Sequence, residues 1–260
     1  MLGDLWVLTL RELKKWLRTP FPALGLFVGP IVWVFVFGTA LNSAFFSGTQ
    51  SSSLDGAPDY FNFIATGMAV SMTLTYASRA GSSLFTDRFT GYLDRLLVSP
   101  VSRGTIVASK ILGGVVLSLI QAGVLLALSI PIGLDVQNLS PASFLVFIGS
   151  LLLLSFGFCS SFLILSLKTK RWQTQQLVGP LVVTPLTFLS SVFYPVSKLP
   201  SILWSLVQLN PLSYAASASR DLFFQPSPLA SGAFITDVAA LLIFAVASGL
   251  VLLVTSRKWL

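Results

Sequence analysis

Histidine is absent from this chain and cysteine occurs once, at Cys159. Those two gaps argue against imidazole acid–base chemistry, a disulfide framework and a Cys/His zinc site. Carboxylates are scarce too, nine Asp and Glu in 260 residues, and none falls near the centre of a long apolar segment. This argues against an ion relay through a membrane and against a carboxylate active site, the residues being dispersed over loops. No G-x-x-x-x-G-K-[ST] phosphate loop occurs, so the chain is not expected to hydrolyse ATP or to be an enzyme.

What is abundant is apolar surface. Hydrophobic residues make up 54% of the chain and charged ones 10%, with a mean hydropathy of +0.85, which places it among polytopic membrane proteins. Crossing a bilayer takes roughly 20 helical residues. Six segments reach that length, about 22 to 42, 60 to 80, 105 to 132, 142 to 167, 175 to 195 and 235 to 255. Their continuous apolar runs predict helices rather than the alternating strands of a barrel. The expected class is therefore an all-α integral membrane protein with six transmembrane helices.

The positive charge is one-sided. Arg11, Lys14, Lys15 and Arg18 precede the first segment, and Arg79, Arg88, Arg95, Arg103 and Lys110 fall between the second and third. Lys168, Lys170 and Arg171 lie between the fourth and fifth, and Arg257 and Lys258 follow the sixth; only Lys198 and Arg220 fall on the other loops. Basic residues are retained on the cytoplasmic side, so both termini are expected there. The charged start is too long and the apolar stretch too extended for a cleaved signal peptide, and an uncleaved first span is expected. The net charge of +7 sits beside apolar spans, so membrane lipids and cytoplasmic proteins are nearer partners than nucleic acid.

Four stretches carry further pattern. Residues 2 to 17 place Leu2, Leu5, Trp6, Leu10, Leu13, Trp16 and Leu17 at spacings near three and four, predicting an amphipathic helix in the interface plane that Thr19, Pro20 and Pro22 end. Residues 42 to 59 lack Lys and Arg and read as an outer loop. Between the second and third spans, Phe85, Phe89, Tyr92, Leu93, Leu96 and Leu97 predict one apolar helix face, with Asp87, Arg88, Asp94 and Arg95 largely opposite and free to meet another protein. Ser99 and Pro100 stop this helix and Ser102 can cap the next. Before the last span, Leu199 to Leu209 and Leu212 to Phe224 predict two helices too short to cross, parted by Asn210 and Pro211, as a re-entrant hairpin dipping from outside. Arg220 and Asp221 would lie near the outer surface, capping a pathway or forming a surface ion pair. In the fifth span Pro180 and Pro185 each remove a backbone donor, predicting a structural kink or a hinge lining a pathway.

The two motifs GYLDRLLVSPVSRGTIVASK (Gly91 to Lys110) and FYPVSKLP...LNPLSYAASASR resemble the membrane subunits of ABC-2 type exporters, over essentially the whole chain. The resemblance implies a single transmembrane domain over 1–260: an interfacial helix at 1–20, spans 1 to 5 over 22–195, the hairpin region at 196–234, and span 6 with a cytoplasmic tail at 235–260. It further implies that Arg88, Gly91, Asp94, Arg95, Ser99 and Pro100 belong to a coupling helix that docks on a separate ATP-binding cassette subunit. ATP and Mg2+ would be held by that partner and no cofactor by this chain. Where the family often has an acidic residue two positions before the glycine, this chain has Phe89. Tyr194, Pro195, Asn210, Pro211, Tyr214 and Arg220 would form the outer gate region, and Pro180 and Pro185 the pathway hinge. A homodimer in a prokaryotic cell membrane, with the pathway on its two-fold axis, is also implied. The 21 Phe residues favour a hydrophobic or amphipathic substrate such as a drug or lipid-like molecule, with a polysaccharide or lipid-linked glycan as the alternative. An ion-coupled secondary transporter is the weaker third reading.

Overall fold

The computed structural model describes residues 2–18, 20–40, 54–196 and 200–259, and every regular element among them is helical. The first helix, α1 (Leu2–Leu17), has the bounds the sequence predicts. Its buried face is displaced, however: Leu8, Thr9, Glu12 and Trp16 turn inward while Trp6 is 64% exposed. Helix α2 (Pro20–Ile31) opens on a proline and continues as a wider π-helical stretch over Val32–Thr39. Pro30 inside α2 lacks the N–H that a regular turn would use. Thr19 and residues 41–53, which include most of the expected outer loop, lie outside the described residues.

The hub of the bundle is α3 (Tyr60–Phe89). Asp59 caps it, its carboxylate accepting from the Asn62 N–H at 2.8 Å. At about 1.5 Å per residue its 30 residues span about 45 Å, well beyond the roughly 30 Å of hydrocarbon. The expected span at 60 to 80 therefore continues for more than two turns. Those turns absorb Phe85 to Phe89, which the sequence pattern joined to the next helix. Thr90 and Gly91 break the chain there, and the short α4 (Tyr92–Leu97) follows at a new angle. Gly91 makes this turn with φ of 70°, a left-handed conformation that favours glycine.

Next come α5 (Arg103–Ser129), capped by Ser102 as expected, and α6 (Pro141–Lys168). Both pack on α3 through small residues. A methyl group at Gly81 of α3 would lie 2.5 Å from the Phe162 carbonyl oxygen of α6, and one at Gly114 of α5 would lie 2.9 Å from Ala80 Cβ of α3. Such close backbone approach is how helices associate where lipid removes the hydrophobic drive. Ser166 adds a hydroxyl bond of 2.6 Å to the Gly81 carbonyl.

The chain continues through α7 (Trp172–Phe188), α8 (Ser201–Gln208), α9 (Pro211–Phe224) and α10 (Gly232–Trp259). Helix α7 runs on through both Pro180 and Pro185, so it is not broken there. It stops at Phe188, short of the expected 195. Phe147 meets Phe223 edge-on at 5.3 Å, and Phe158 meets Phe244 at 5.0 Å, tying α6 to α9 and α10. Among the described residues three helical segments, Arg103–Ile132, Pro141–Lys168 and Gly232–Ser256, are long and apolar enough to cross a membrane. Together they make this a multi-pass membrane protein.

Candidate functional site

An ion cluster joins α1, α3 and α5 at the basic end of the bundle. Asp87, near the end of α3, is 2% exposed and accepts from Arg11 at 3.1 Å and Lys15 at 3.0 Å. It also pairs with Lys110 of α5, itself 2% exposed. Lys110 reaches the Glu12 carboxylate at 2.7 Å and the Ser83 hydroxyl at 3.0 Å. Glu12 in turn accepts from Ser83 at 2.5 Å and Arg11 at 3.0 Å. Three cations thus enclose two carboxylates, with most polar atoms matched, as buried charge requires. Burial alone would raise the Asp87 carboxyl, yet Lys110, Arg11 and Lys15 outweigh it and hold that group down at about 2.

This arrangement corrects the expected free charged face. Asp87 points inward to the cluster, not outward, because the continuation of α3 rotates it away from the α4 surface. Lys110, read from sequence as a retained cytoplasmic charge, is buried in the same place.

The cluster also reaches α4. The Arg11 guanidinium lies 3.7 Å from the centre of the Tyr92 ring, so the residue that binds Asp87 also stacks on the first residue of α4. Leu93 is buried at 3% exposure and anchors that short helix. Asp94 and Arg95 are exposed beside it, and Val98 is 87% exposed. The Ser99 hydroxyl donates to the Leu96 carbonyl at 2.6 Å and Pro100 ends the turn. On the other side Arg88 donates to the Leu167 carbonyl at 3.1 Å, closing the end of α6. Phe85 and Phe89 meet Trp172 at 5.8 and 5.3 Å, so the start of α7 joins the same surface.

At the far end, Asn210 and Pro211 form the turn between α8 and α9. Asn210 caps α9 through the Leu212 N–H, and its side-chain amide donates to the Leu186 and Leu189 carbonyls at 2.6 and 2.8 Å. The end of α7 is thereby fixed to the hairpin. Tyr194 donates to the Phe188 carbonyl, Tyr214 to the Gln208 carbonyl at 2.6 Å, and Pro195 is buried.

Arg220 departs from expectation: it is wholly buried, not near the surface. Its guanidinium donates to the Ser191 carbonyl at 2.6 Å, lies 3.6 Å from the Phe63 ring centre, and reaches Asp55, not Asp221, at 3.4 Å. Gly67 leaves room for this group, since a methyl there would lie 3.1 Å from Arg220 Nη2. Pro180 and Pro185 lie apart from all these contacts on the exposed side of α7, where Leu177 and Leu181 are 64% and 74% exposed.

A bundle of membrane helices with a buried ionic junction at one end, from which an exposed helical turn projects, defines a polytopic membrane protein. The ABC-2 type transporter family profile matches residues 3–224, and the chain belongs to that family. It is 27% identical over 224 residues to the daunorubicin resistance ABC transporter permease protein DrrB1 of Streptomyces coeruleorubidus, covering 85% of this chain and 74% of the relative. It is 31% identical to the putative transport permease ycf38 of Porphyra purpurea, covering 81% and 70%. Against the inner membrane transport permease YadH of Escherichia coli K12 it is 28% identical, covering 81% and 77%.

Proposed function

We propose that this chain is the permease subunit of an ATP-driven exporter and works with a separate ATP-binding cassette subunit that holds ATP and Mg2+. In this reading the chain crosses the membrane six times, with α2 and its π-helical continuation, α3, α5, α6, α7 and α10 as the spans. Both termini and the ion cluster lie on the cytoplasmic side of a prokaryotic cell membrane. The relatives' names as permeases support the subunit assignment, and the retention of basic residues on alternate loops supports the orientation.

The observation that carries the reading is the exposed turn of α4. Asp94, Arg95 and Val98 project from a base fixed by Leu93, while Arg11 links that base to Asp87 and Lys110. A partner pressing on α4 would therefore move the ends of α1, α3 and α5 together, because buried ionic and packed contacts shift as units. Two copies of the chain would face each other across the exposed side of α7, which presents Leu177, Leu181 and the two prolines. The cargo would be a hydrophobic or amphipathic molecule. DrrB1's name, which speaks of resistance to daunorubicin, supports drug export over the glycan alternative.

The test is reconstitution in liposomes with the ATP-binding cassette subunit that partners this chain, and a daunorubicin-class dye as cargo. ATP-dependent dye movement that needs both subunits supports the proposal. Movement without the ATPase, driven by an ion gradient, would reject it.

A further inference from the structure

A pocket of about 350 Å³ opens beside the ion cluster, between α1, α3 and α5. Lys15, Arg79, Lys110 and Glu12 line its polar part together with Ser82 and Thr86, and Trp16 and Leu117 form an apolar wall. Glu12 already accepts from Lys110, Arg11 and Ser83, so its charge is neutralised within the cluster. Arg79 is different. Its guanidinium rests 4.9 Å from the Tyr76 ring centre, and no carboxylate pairs with it among the described residues. Counting Arg11 and Asp87, the pocket and its cluster hold four cations against two carboxylates.

We infer that this pocket binds the phosphate-bearing headgroup of an anionic phospholipid. Uncompensated positive charge beside hydroxyl groups suits a phosphodiester, which accepts hydrogen bonds and carries one negative charge. The apolar wall argues for a lipid over a free anion, because Trp16 and Leu117 line the same pocket as the basic side chains and give it an apolar surface that a free anion would not use. Basic pockets between membrane helices on the cytoplasmic side recognise anionic headgroups in this manner. A lipid held here touches all three helices of the ionic junction, so its occupancy would stiffen the same unit that α4 moves. The inference rests on the membrane placement proposed above but not on the ATPase partner.

The test uses the purified full-length chain alone, delipidated in detergent, with bound lipid counted by native mass spectrometry. Phosphatidylglycerol should bind at one per chain and at least about ten-fold more tightly than phosphatidylcholine, with inorganic phosphate failing to displace it. Arg79→Gln should weaken phosphatidylglycerol about five-fold, as expected for loss of one basic contact, and leave phosphatidylcholine unchanged. Lys168→Gln, at an exposed basic residue outside the pocket, should change neither. The inference is overturned by equal binding of the two lipids, by an Arg79→Gln variant of unaltered preference, or by an equal loss in Lys168→Gln. Displacement by inorganic phosphate would overturn the lipid source. Since no ATPase is present, none of these outcomes bears on the subunit assignment.

Discussion

Lys110 and Asp87 meet inside the protein with 2% of either side chain exposed, 23 residues apart in sequence and on different helices. Removing one member of such a pair leaves the other charged and buried, which commonly costs about 3 kcal/mol or more. The two removals are not equivalent here. Lys110→Met leaves Asp87 with Arg11 and Lys15, and Glu12 with Arg11 and Ser83. Asp87→Asn leaves Arg11 and the buried Lys110 to share the single carboxylate of Glu12. Thermal unfolding in detergent, followed by tryptophan fluorescence, should show Asp87→Asn the more destabilised. The double variant should lose less than the sum of the two.

The same carboxylate sets a pH dependence. Asp87 is held at about 2 in the folded protein against an ordinary 3.8, so its contribution is complete above about pH 4. It is lost as pH falls from there through about 2, and is worth roughly 2 kcal/mol. Stability of the wild type should decline over that interval, and Asp87→Asn should flatten this part of the curve. A decline of the same size in the variant would assign the acid sensitivity to other groups.

Gly91→Ala probes the turn into α4. Nothing lies within 4 Å of an added methyl group, so backbone strain at φ of 70° is the sole cost. That cost is about 1 kcal/mol. The chain should fold and insert normally while transport in the reconstituted complex falls, because relief of this strain at residue 91 shifts the turn and re-aims α4. Full transport would show that its angle is immaterial.

Topology is open to labelling with a membrane-impermeant thiol reagent. Cys159 is wholly buried and should give no background. Asp55→Cys should react from outside and Lys170→Cys only after the membrane is opened. The reverse pattern would invert the orientation.

The parts of this fold legible in the sequence are those governed by neighbours in the chain. The bounds of α1, the Ser102 cap and the Asn210–Pro211 turn between α8 and α9 follow from local periodicity and capping chemistry. The ionic junction was not legible, since Lys110 bonds Glu12 across 98 residues and Arg11 bonds Asp87 across 76. One signal was present: Lys110 lies inside the long apolar segment from Arg103, and a charge so placed needs a carboxylate near it. Glu12, four residues from both Leu8 and Trp16, sits on the buried face of α1 for that reason. The run-on of α3 to Phe89 escaped pattern reading because Phe85 and Phe89 share helical spacing with Leu93. Only the left-handed turn at Gly91 separates them. Arg220 was placed at the surface by its charge, whereas carbonyls of Ser191 and Val192, distant in sequence, supply the acceptors that permit its burial.

The central claim, that α4 passes the work of ATP hydrolysis into the membrane helices, is tested most directly with Asp94→Ala/Arg95→Ala in proteoliposomes containing the ATPase subunit. Both side chains are exposed and outside the ion cluster, so folding and insertion should match the wild type. ATP hydrolysis should persist while substrate movement per ATP falls by about ten-fold or more. Wild-type transport by the double variant would contradict the claim.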